Sequence, residues 1–422
     1  MTLFQEIEFK KYLGLLVLFI VVGALIFFFT NGSAVVENPI TIGFIHSSSK
    51  MGLADKSYLI DAVNFAVKEI NQRGGVLGRP LVVRVIDSEG PSFEESFESL
   101  IRNESINVFF GCLTSACLAK VKPVLEQQYG LLFFPASYEG FEQSSNVIYL
   151  GAVPNQQIIP GVRWAIDHIG GSFYMIGSNN TRSLVAHQMA QDLAKVANAN
   201  IVGESLISNG DAEIMREIFI KKVKEIQKLQ PKFIFSTLDA ENNKNFMMEV
   251  SKAGLGHIPV LFLNLNQEQA IEVSQLNIKN IYTLDSYYQD FPTDINNRFV
   301  SSLRRSLNKQ IFVNPDMENI YNSIYLWADT VKQKKSLDPL HVNTETLLRQ
   351  TFPGPSGIVS IDSMNRHAWK FSMVLQLTAS GSFKMVDRSP FPLKPSPWPV
   401  YRTRDEWSNI IKIKQKNQEI FE

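Results

Sequence analysis

The stretch VFFGCLTSACLAKVKPVLEQQYGLLFF, residues 108–134, decides the fold class of this protein. Its two ends, Val108–Phe110 and Leu131–Phe134, are short apolar runs that are typical of buried strands. The segment Ser115–Gln128 between them has the length of a helix, and Thr114 stands before it as a preferred cap residue. A strand, a helix and a second strand in this order form a βαβ unit, so the stretch predicts a parallel sheet.

The same alternation continues on both sides of this stretch. It predicts two sheet-building blocks of similar size, at residues 40–150 and 170–285, and it predicts further helices at Thr293–Ser306 and Pro315–Gln333. Gly151–Gln157, between the two blocks, contains one proline and two glutamines and is predicted to be a hinge strand. The fold class is therefore α/β.

The C-terminal part has a different pattern. Three segments alternate like antiparallel strands, with a hairpin turn at Ser380-Gly381, and they are Gly357–Asp362, Lys370–Leu377 and Ser382–Val386. Residues 390–399 are rich in proline and predicted to be extended. Trp407–Glu422 is polar and contains several lysines, so we expect a frayed tail there.

Composition excludes some functions and sets the size of the core. The chain has 422 residues, of which 45% are hydrophobic, which suffices for two domains with their own cores. The 41 lysines and arginines balance the 41 aspartates and glutamates, so no basic surplus attracts nucleic acid. Nucleic acid is not an expected partner.

The N-terminus carries a membrane signal. Residues 12–29 contain no charge and would span about 27 Å as a helix, close to the ~30 Å core of a bilayer. We favour an uncleaved signal anchor, with Lys10 and Lys11 holding a short cytoplasmic tip, and everything after Asn31 outside the membrane. A cleaved signal peptide is the alternative, with Gly32 and Ala34 as small residues at the cleavage site.

The chain contains two cysteines, Cys112 and Cys117. Their spacing does not fit a zinc site, and no second pair exists to complete one. We favour the interpretation that both are small buried residues around a helix start. A local disulfide and a reactive thiol are the alternatives.

The sequence offers little for catalysis. Its six histidines are scattered and form no HExxH motif, and no nucleophile elbow or phosphate-binding loop is present. Gly74-Gly75-Val-Leu-Gly78 follows a helix instead of a strand, so it is predicted to be a helix stop with a turn. No enzymatic activity, cofactor or metal is expected.

Small polar residues follow several strands of both blocks. In open parallel sheets, ligands bind in the crevice outside the carboxyl ends of the strands. These turns therefore predict a site for a small, mostly neutral, hydrogen-bonding ligand. The polar residues at these turns are Ser47, Ser48, Ser49, Thr114, Ser115, Ser137, Tyr138, Glu139, Asn179, Asn180, Thr181, Asp239 and Glu241.

Longer motifs place the chain near a known family. They include residues 69–79 (EINQRGGVLGR), 110–115 (FGCLTS), 132–140 (LFFPASYEG), 154–160 (PNQQIIP) and 367–370 (HAWK). With these motifs, residues 40 to about 400 resemble the type I periplasmic binding fold in its urea and short-chain amide branch. The Tyr-Glu-Gly and Pro-Asn-Gln-Gln stretches carry the resemblance to this branch.

The resemblance implies two doubly wound lobes that close on a ligand, joined by a hinge of three crossover strands. It places residues 40–155 and 288–335 in lobe 1, residues 156–287 and 336–400 in lobe 2, and a tail at 401–422, after an N-terminal segment at 1–35. It further implies that Thr114, Ser115, Ala136 and Ser137 line lobe 1, whereas Asp239 and Glu241 line lobe 2. Ser115 would donate to a carbonyl oxygen, and a lobe 2 carboxylate would accept amide N–H groups.

This sequence also departs from the family. Asn180 stands where the family has a tyrosine, and Leu113 stands where the urea-type proteins have an aromatic residue. Asn180 therefore belongs to the predicted site as the position where ligand choice differs.

The resemblance implies an extracytoplasmic binding protein for a small amide-like solute or an amino acid, which delivers it to an ABC permease. A membrane-anchored sensor of the same fold is the main alternative. A lobe pair that binds nothing and serves as a scaffold is a further one.

Overall fold

The computed structural model of the protein describes residues 38–47 and 57–419. Its strands are β1 (Ile40–His46), β2 (Leu81–Asp87), β3 (Val108–Gly111), β4 (Leu131–Phe134), β5 (Val147–Tyr149), β6 (Ser172–Ser178), β7 (Asn200–Ile207), β8 (Phe233–Thr237), β9 (Val260–Leu263), β10 (Ile281–Asp285), β11 (Thr351–Gly354), β12 (Gly357–Ser360), β13 (Met373–Leu377) and β14 (Phe383–Arg388).

The helices alternate with these strands through most of the chain. They are α1 (Ser57–Gln72), α2 (Phe93–Arg102), α3 (Ser115–Gln128), α4 (Pro154–His168), α5 (Thr181–Val196), α6 (Ala212–Leu229), α7 (Ala240–Lys252), α8 (Gln267–Ser274), α9 (Asp294–Leu307), α10 (Pro315–Lys334), α11 (Pro339–Val342), α12 (Glu345–Arg349) and α13 (Arg404–Glu419).

The first sheet contains five parallel strands in the order β2-β1-β3-β4-β5. Both of its faces are covered by apolar layers, as expected for parallel strands. On one face Phe110 meets the edge of Trp327 from α10, with ring centroids 6.1 Å apart. On the other face Phe109 packs against Phe97 of α2 at 4.6 Å. This confirms the parallel sheet predicted from residues 108–134.

The second sheet has the order β14-β13-β10-β9-β8-β6-β7. Strands β6 to β10 pair in parallel, whereas β13 and β14 join the edge in antiparallel pairing. The predicted hairpin at Ser380-Gly381 is confirmed, and Gly381 takes the positive φ of 80° that its turn requires. The predicted two-sheet α/β architecture is therefore correct.

The chain passes between the two sheets after β5, after β10 and between β12 and β13. Two of these passages touch, because Ala368 donates its backbone N–H to the carbonyl of Tyr149 at 2.8 Å. The predicted hinge strand at Gly151–Gln157 is wrong in its second half, since α4 begins at Pro154. Proline is favoured at the first helical position, and the Gln156 side chain accepts a hydrogen bond from the Val153 N–H at 3.0 Å.

Two further expectations for the C-terminal part need correction. We expected residues 336–400 in the second lobe, yet Val342, Leu347 and Ala368 lie in the core cluster of the first sheet. We also expected a frayed tail, but Trp407 is fully buried in the second core, where its indole N–H donates to the Pro399 carbonyl at 2.9 Å. The burial of this indole, together with its hydrogen bond, anchors α13.

The predicted membrane segment at residues 12–29 lies outside the described residues and stays a prediction. Among the described residues, no helix combines the length and the hydropathy that a bilayer crossing needs.

Candidate functional site

The first wall of the predicted site is the turn between β3 and α3. Thr114 caps α3, because its hydroxyl accepts the backbone N–H of Cys117 at 3.1 Å. Ser115 is partly exposed, and its hydroxyl has no hydrogen-bond partner among the described residues. The first N–H groups of a helix have no partner within the helix. Ser115 therefore has a side-chain hydroxyl that no described residue uses, beside the backbone N–H groups at the start of the helix.

The two cysteines flank this turn and form a disulfide. Their Cα atoms lie 5.6 Å apart, and both side chains are buried in the core around Phe109. Our favoured interpretation of two unlinked buried residues is therefore wrong, and the local disulfide is correct. The spacing alone could not decide this, because the left-handed turn at Cys112, with a φ of 64°, brings the two sulfur atoms together.

Ala136 and Ser137 lie in the turn after β4. Ala136 is buried, and Ser137 is partly exposed with its hydroxyl accepting the Ala152 N–H at 3.2 Å. Gly151 is required beside them, since a Cβ there would lie 1.9 Å from the Ala136 carbonyl oxygen. This turn is thus tied to the first passage between the sheets.

In the Asn179-Asn180 turn after β6, both amide side chains make hydrogen bonds within the second lobe. Asn180 is exposed and caps α5, with its side-chain oxygen accepting the Ser183 N–H at 2.9 Å. The Asn179 amide donates to Ser208 Oγ at 3.0 Å. The Asn180 bond is local to its helix, whereas the Asn179 bond joins the turn after β6 to the segment after β7.

The carboxylate predicted to accept amide protons is also occupied. Asp239 Oδ2 accepts from Ser178 Oγ at 2.9 Å and from the Asn242 amide at 3.2 Å, while Oδ1 accepts the Asn242 N–H at 3.1 Å. Glu241, two residues later in α7, is exposed. Asp239 therefore serves as the cap of α7 and as the link between β6 and β8.

A group of charged residues lies between the two sheets, and of these only Glu139 is among the strand-end polar residues that the sequence singled out. Arg182 in the first turn of α5 interacts electrostatically with Glu139, Asp316 and Asp285. Glu139 follows β4 and Asp316 lies in the first turn of α10, so both belong to the side of the first sheet. Arg182 and Asp285 belong to the second sheet. We call Arg182, Glu139, Asp285 and Asp316 the cleft cluster.

Burial perturbs the protonation of this cluster. It lowers the pKa of the Arg182 guanidinium, which the three carboxylates oppose, although the side chain keeps partial access to solvent. Burial also raises the pKa of Asp285 to about 7, helped by the Asp316 carboxylate and opposed by hydrogen bonds from backbone N–H groups and by Arg182. Arg182 has no hydrogen bond or ion pair with another described residue.

A buried polar network around Lys370 interacts electrostatically with the cluster. Lys370 lies 3.8 Å from Glu318 and also donates to Asn319, whose amide in turn donates to the Pro135 carbonyl at 2.8 Å. Burial lowers the pKa of Lys370, whereas Glu318, Asp285 and Asp316 act to raise it. The network joins the third passage between the sheets to α10 and to the turn that carries Ala136.

One sequence signal could have indicated the cluster. A cation in the first turn of a helix opposes the helix dipole, so Arg182 occupies a position that local stability disfavours. Residues that break a local rule are often functional. Glu139 was already among the strand-end polar residues, whereas Asp285 and Asp316 gave no signal, because an acidic residue in a first turn, as at Asp316, is ordinary.

A family model for the periplasmic binding protein domain matches residues 40–404. The chain belongs to this family. Among solved structures of this fold, an amino acid ABC transporter substrate-binding protein from Pseudomonas fluorescens Pf-5 superposes with a TM-score of 0.74 at 17% identity, covering 87% of this chain and 99% of that one.

Two further periplasmic binding proteins superpose similarly. The branched-chain amino acid binding protein LivJ from Streptococcus pneumoniae, in complex with isoleucine, gives a TM-score of 0.71 at 15% identity over 83% of this chain and 99% of that one. A solute-binding protein from R. palustris in complex with benzoate gives 0.70 at 16% identity over 85% and 98%. At these identities the likeness establishes the fold.

One curated relative also matches this periplasmic binding protein. A limonene hydroxylase from Geobacillus stearothermophilus is 28% identical over 116 residues, which cover 27% of this chain. The match spans about a fifth of that relative's length, at 21%.

Proposed function

We propose that this protein is an extracytoplasmic solute-binding protein that closes its two lobes on a small amide-like or amino-acid-like solute and delivers it to an ABC permease. The observation that carries the proposal is the cleft cluster, whose charged groups come from both sheets. A solute held between such groups would favour the closed arrangement of the lobes, because only closure brings both sets of groups onto it.

The charges of the cluster favour the amino-acid-like half of this proposal. A neutral amide needs one donor edge and one acceptor edge, and it gains little from an unpaired guanidinium. A carboxylate on the solute would pair with Arg182, and guanidinium-carboxylate bonds are among the strong ones. An ammonium on the solute would face Asp285 and Asp316. Isoleucine and benzoate, bound by two proteins of this fold, both carry a carboxylate.

The disulfide supports a location outside the cytoplasm. Disulfides persist in oxidising compartments such as the periplasm and are rare in the cytosol. The Cys112–Cys117 bond therefore agrees with the signal anchor expected at residues 12–29. It argues against a cytoplasmic regulator of the same fold.

Calorimetric titration of the full-length protein at pH 7.5 with L-isoleucine, benzoate, acetamide and urea tests the proposal. We expect at least one of the two carboxylates to bind. Replacing Arg182 with methionine should weaken that binding at least thirtyfold, since truncating one partner of a buried charge pair costs about 2 kcal/mol or more. Arg182→Lys keeps the positive charge and should therefore lose less affinity than Arg182→Met.

Arg216 provides the matched control, because it is exposed on α6 and pairs with Glu249 at 3.6 Å. Arg216→Met should bind as the wild type does. Binding of acetamide alone, with no effect of Arg182→Met, would support the neutral-amide alternative. Absence of binding for all four compounds would contradict solute binding of either kind.

A further inference from the structure

The disulfide closes a covalent ring around the turn that carries Thr114 and Ser115. Cys112 and Cys117 are separated by five positions, and the residues between them are Leu113, Thr114, Ser115 and Ala116. Cys112 is 1% exposed and Cys117 is 5% exposed, so the bond lies in the core while the turn faces outward. The ring thus fixes the turn to a rigid layer of the first lobe.

The backbone at the entrance to this ring is in a conformation that needs support. Gly111 and Cys112 both have positive φ, at 106° and 64°, which turns the chain sharply off β3. Glycine accepts this region without strain, but a residue with a Cβ loses of order 1 kcal/mol or more there. Besides the disulfide, the Cys112 N–H donates to the Ile45 carbonyl at 3.0 Å, which holds the start of the turn.

The ring also fixes the groups that a ligand would use. Thr114 accepts the N–H of Cys117 at 3.1 Å, so the cap bond and the disulfide hold the same residue at the end of the ring. The partly exposed Ser115 lies between these two restraints. A loop that is already ordered avoids the entropy cost of becoming ordered when the ligand binds.

We propose that the Cys112–Cys117 disulfide is a positioning element of the ligand site, which holds the turn at Thr114 and Ser115 in its binding conformation before the solute arrives. This inference rests on the proposed function, because it takes the turn at Thr114 and Ser115 to be part of the proposed ligand site. The disulfide would then contribute to the affinity for the solute as well as to the stability of the first lobe.

The test compares the wild type with two double variants of the full-length protein. Cys112→Ser/Cys117→Ser removes the bond, and Cys112→Gly/Cys117→Ala removes it while glycine tolerates the left-handed turn. If the serine variant does not fold, the glycine variant decides. The control is Arg402→Gln, which breaks a two-bond pair with Asp192 on the second lobe, at 2.6 and 2.7 Å.

Two measurements are made on each protein. Hydrogen exchange of the free protein should show amide exchange at residues 113–118 at least tenfold faster in the cysteine variants. Calorimetry with L-isoleucine and benzoate should show that the cysteine variants bind at least tenfold more weakly whichever probe the wild type binds. A tenfold loss of affinity equals about 1.4 kcal/mol of binding free energy. Arg402→Gln should change neither the exchange rate at residues 113–118 nor the affinity for the probe. This should hold even if Arg402→Gln lowers the melting temperature as much as the cysteine variants do.

The inference is overturned if the cysteine variants bind the probe within twofold of the wild type, or if their exchange at residues 113–118 is unchanged. It is also overturned if Arg402→Gln loses as much affinity, because a general loss of stability would then explain the effect. A wild type that binds neither probe counts against the proposed function instead, and the inference falls with it.

Discussion

A single buried histidine should make the stability of this protein depend on pH. His367 is fully buried where two passages between the sheets meet, and its ring stacks on Tyr149 with centroids 4.1 Å apart. Its Nδ1 lies 2.6 Å from the Asn365 carbonyl, and its Nε2 lies 2.6 Å from the Tyr138 hydroxyl. Nδ1 therefore carries the proton of the neutral ring, and Nε2 accepts from the tyrosine.

Burial lowers the pKa of His367 from 6.5 to about 4, although the Asn365 carbonyl and Asp362 oppose this. The unfolded chain binds a proton at this ring below pH 6.5, whereas the folded chain does not until about pH 4. Stability from the neutral ring is therefore complete above pH 6.5 and is lost as the pH falls toward 4. The full loss is ~3 kcal/mol, and about 2 kcal/mol of it occurs by pH 5.

Asp285 contributes with the opposite sign. Its pKa in the folded protein is raised to about 7, so its contribution grows as the pH falls below 7 and is lost as the pH rises through 7. The pH profile of the wild type is thus a composite. A comparison with His367→Gln isolates the histidine, because glutamine can replace its hydrogen bonds but does not titrate.

The assay is equilibrium urea unfolding of the wild type and His367→Gln between pH 5 and pH 8. The stability advantage of the wild type over the variant should shrink by about 2 kcal/mol from pH 7 to pH 5. His257, which is exposed, provides the control, and His257→Gln should show no such change. An advantage that stays constant to within about 0.5 kcal/mol over this range would refute the reasoning.

Three further predictions concern the site and the second lobe. Ser115→Ala should weaken solute binding in calorimetry more than Asn180→Ala, since Asn180 is exposed and its oxygen is used as a helix cap; the reverse order would mean that the site is misplaced. Trp407→Ala should cost about 3–5 kcal/mol in urea unfolding, because the whole indole is buried, and a loss below ~1 kcal/mol would contradict its anchoring role. Gly177→Ala should lower stability by about 1–3 kcal/mol, since its Cβ would lie 2.2 Å from Thr237 Oγ1, and an unchanged melting temperature would show that the second lobe adapts.

The alternation of buried strands and helices could be predicted from sequence. Ser115–Gln128 and Val260–Leu263 have the predicted bounds, because continuous apolar runs and cap residues mark their ends. The start of α4 was not predictable in the same way. Proline at residue 154 and two glutamines suggested a hinge strand, whereas the fixed φ of proline and the Gln156 hydrogen bond favour a helix start.

Local patterns could predict the cleft cluster only in part, through Glu139 at the end of a strand and Arg182 in the first turn of a helix. Glu139, Arg182, Asp285 and Asp316 are far apart in sequence, and only the two-sheet topology brings them into electrostatic contact. The opposite error affected Asp239, which looks like a ligand acceptor in sequence. Its oxygens are taken by Ser178 and Asn242 once β6 and β8 lie side by side.

The most direct test of the central proposal is the unfolding free energy of the full-length protein with and without solute. The wild type is unfolded by urea in the presence of L-isoleucine, benzoate or acetamide. A solute that binds the folded protein and is present at a hundred times its dissociation constant should add about 2.7 kcal/mol. We predict this gain for at least one of the two carboxylates and its loss in Arg182→Met. If none of these compounds raises the unfolding free energy, the proposal that the cleft binds a small charged solute is contradicted.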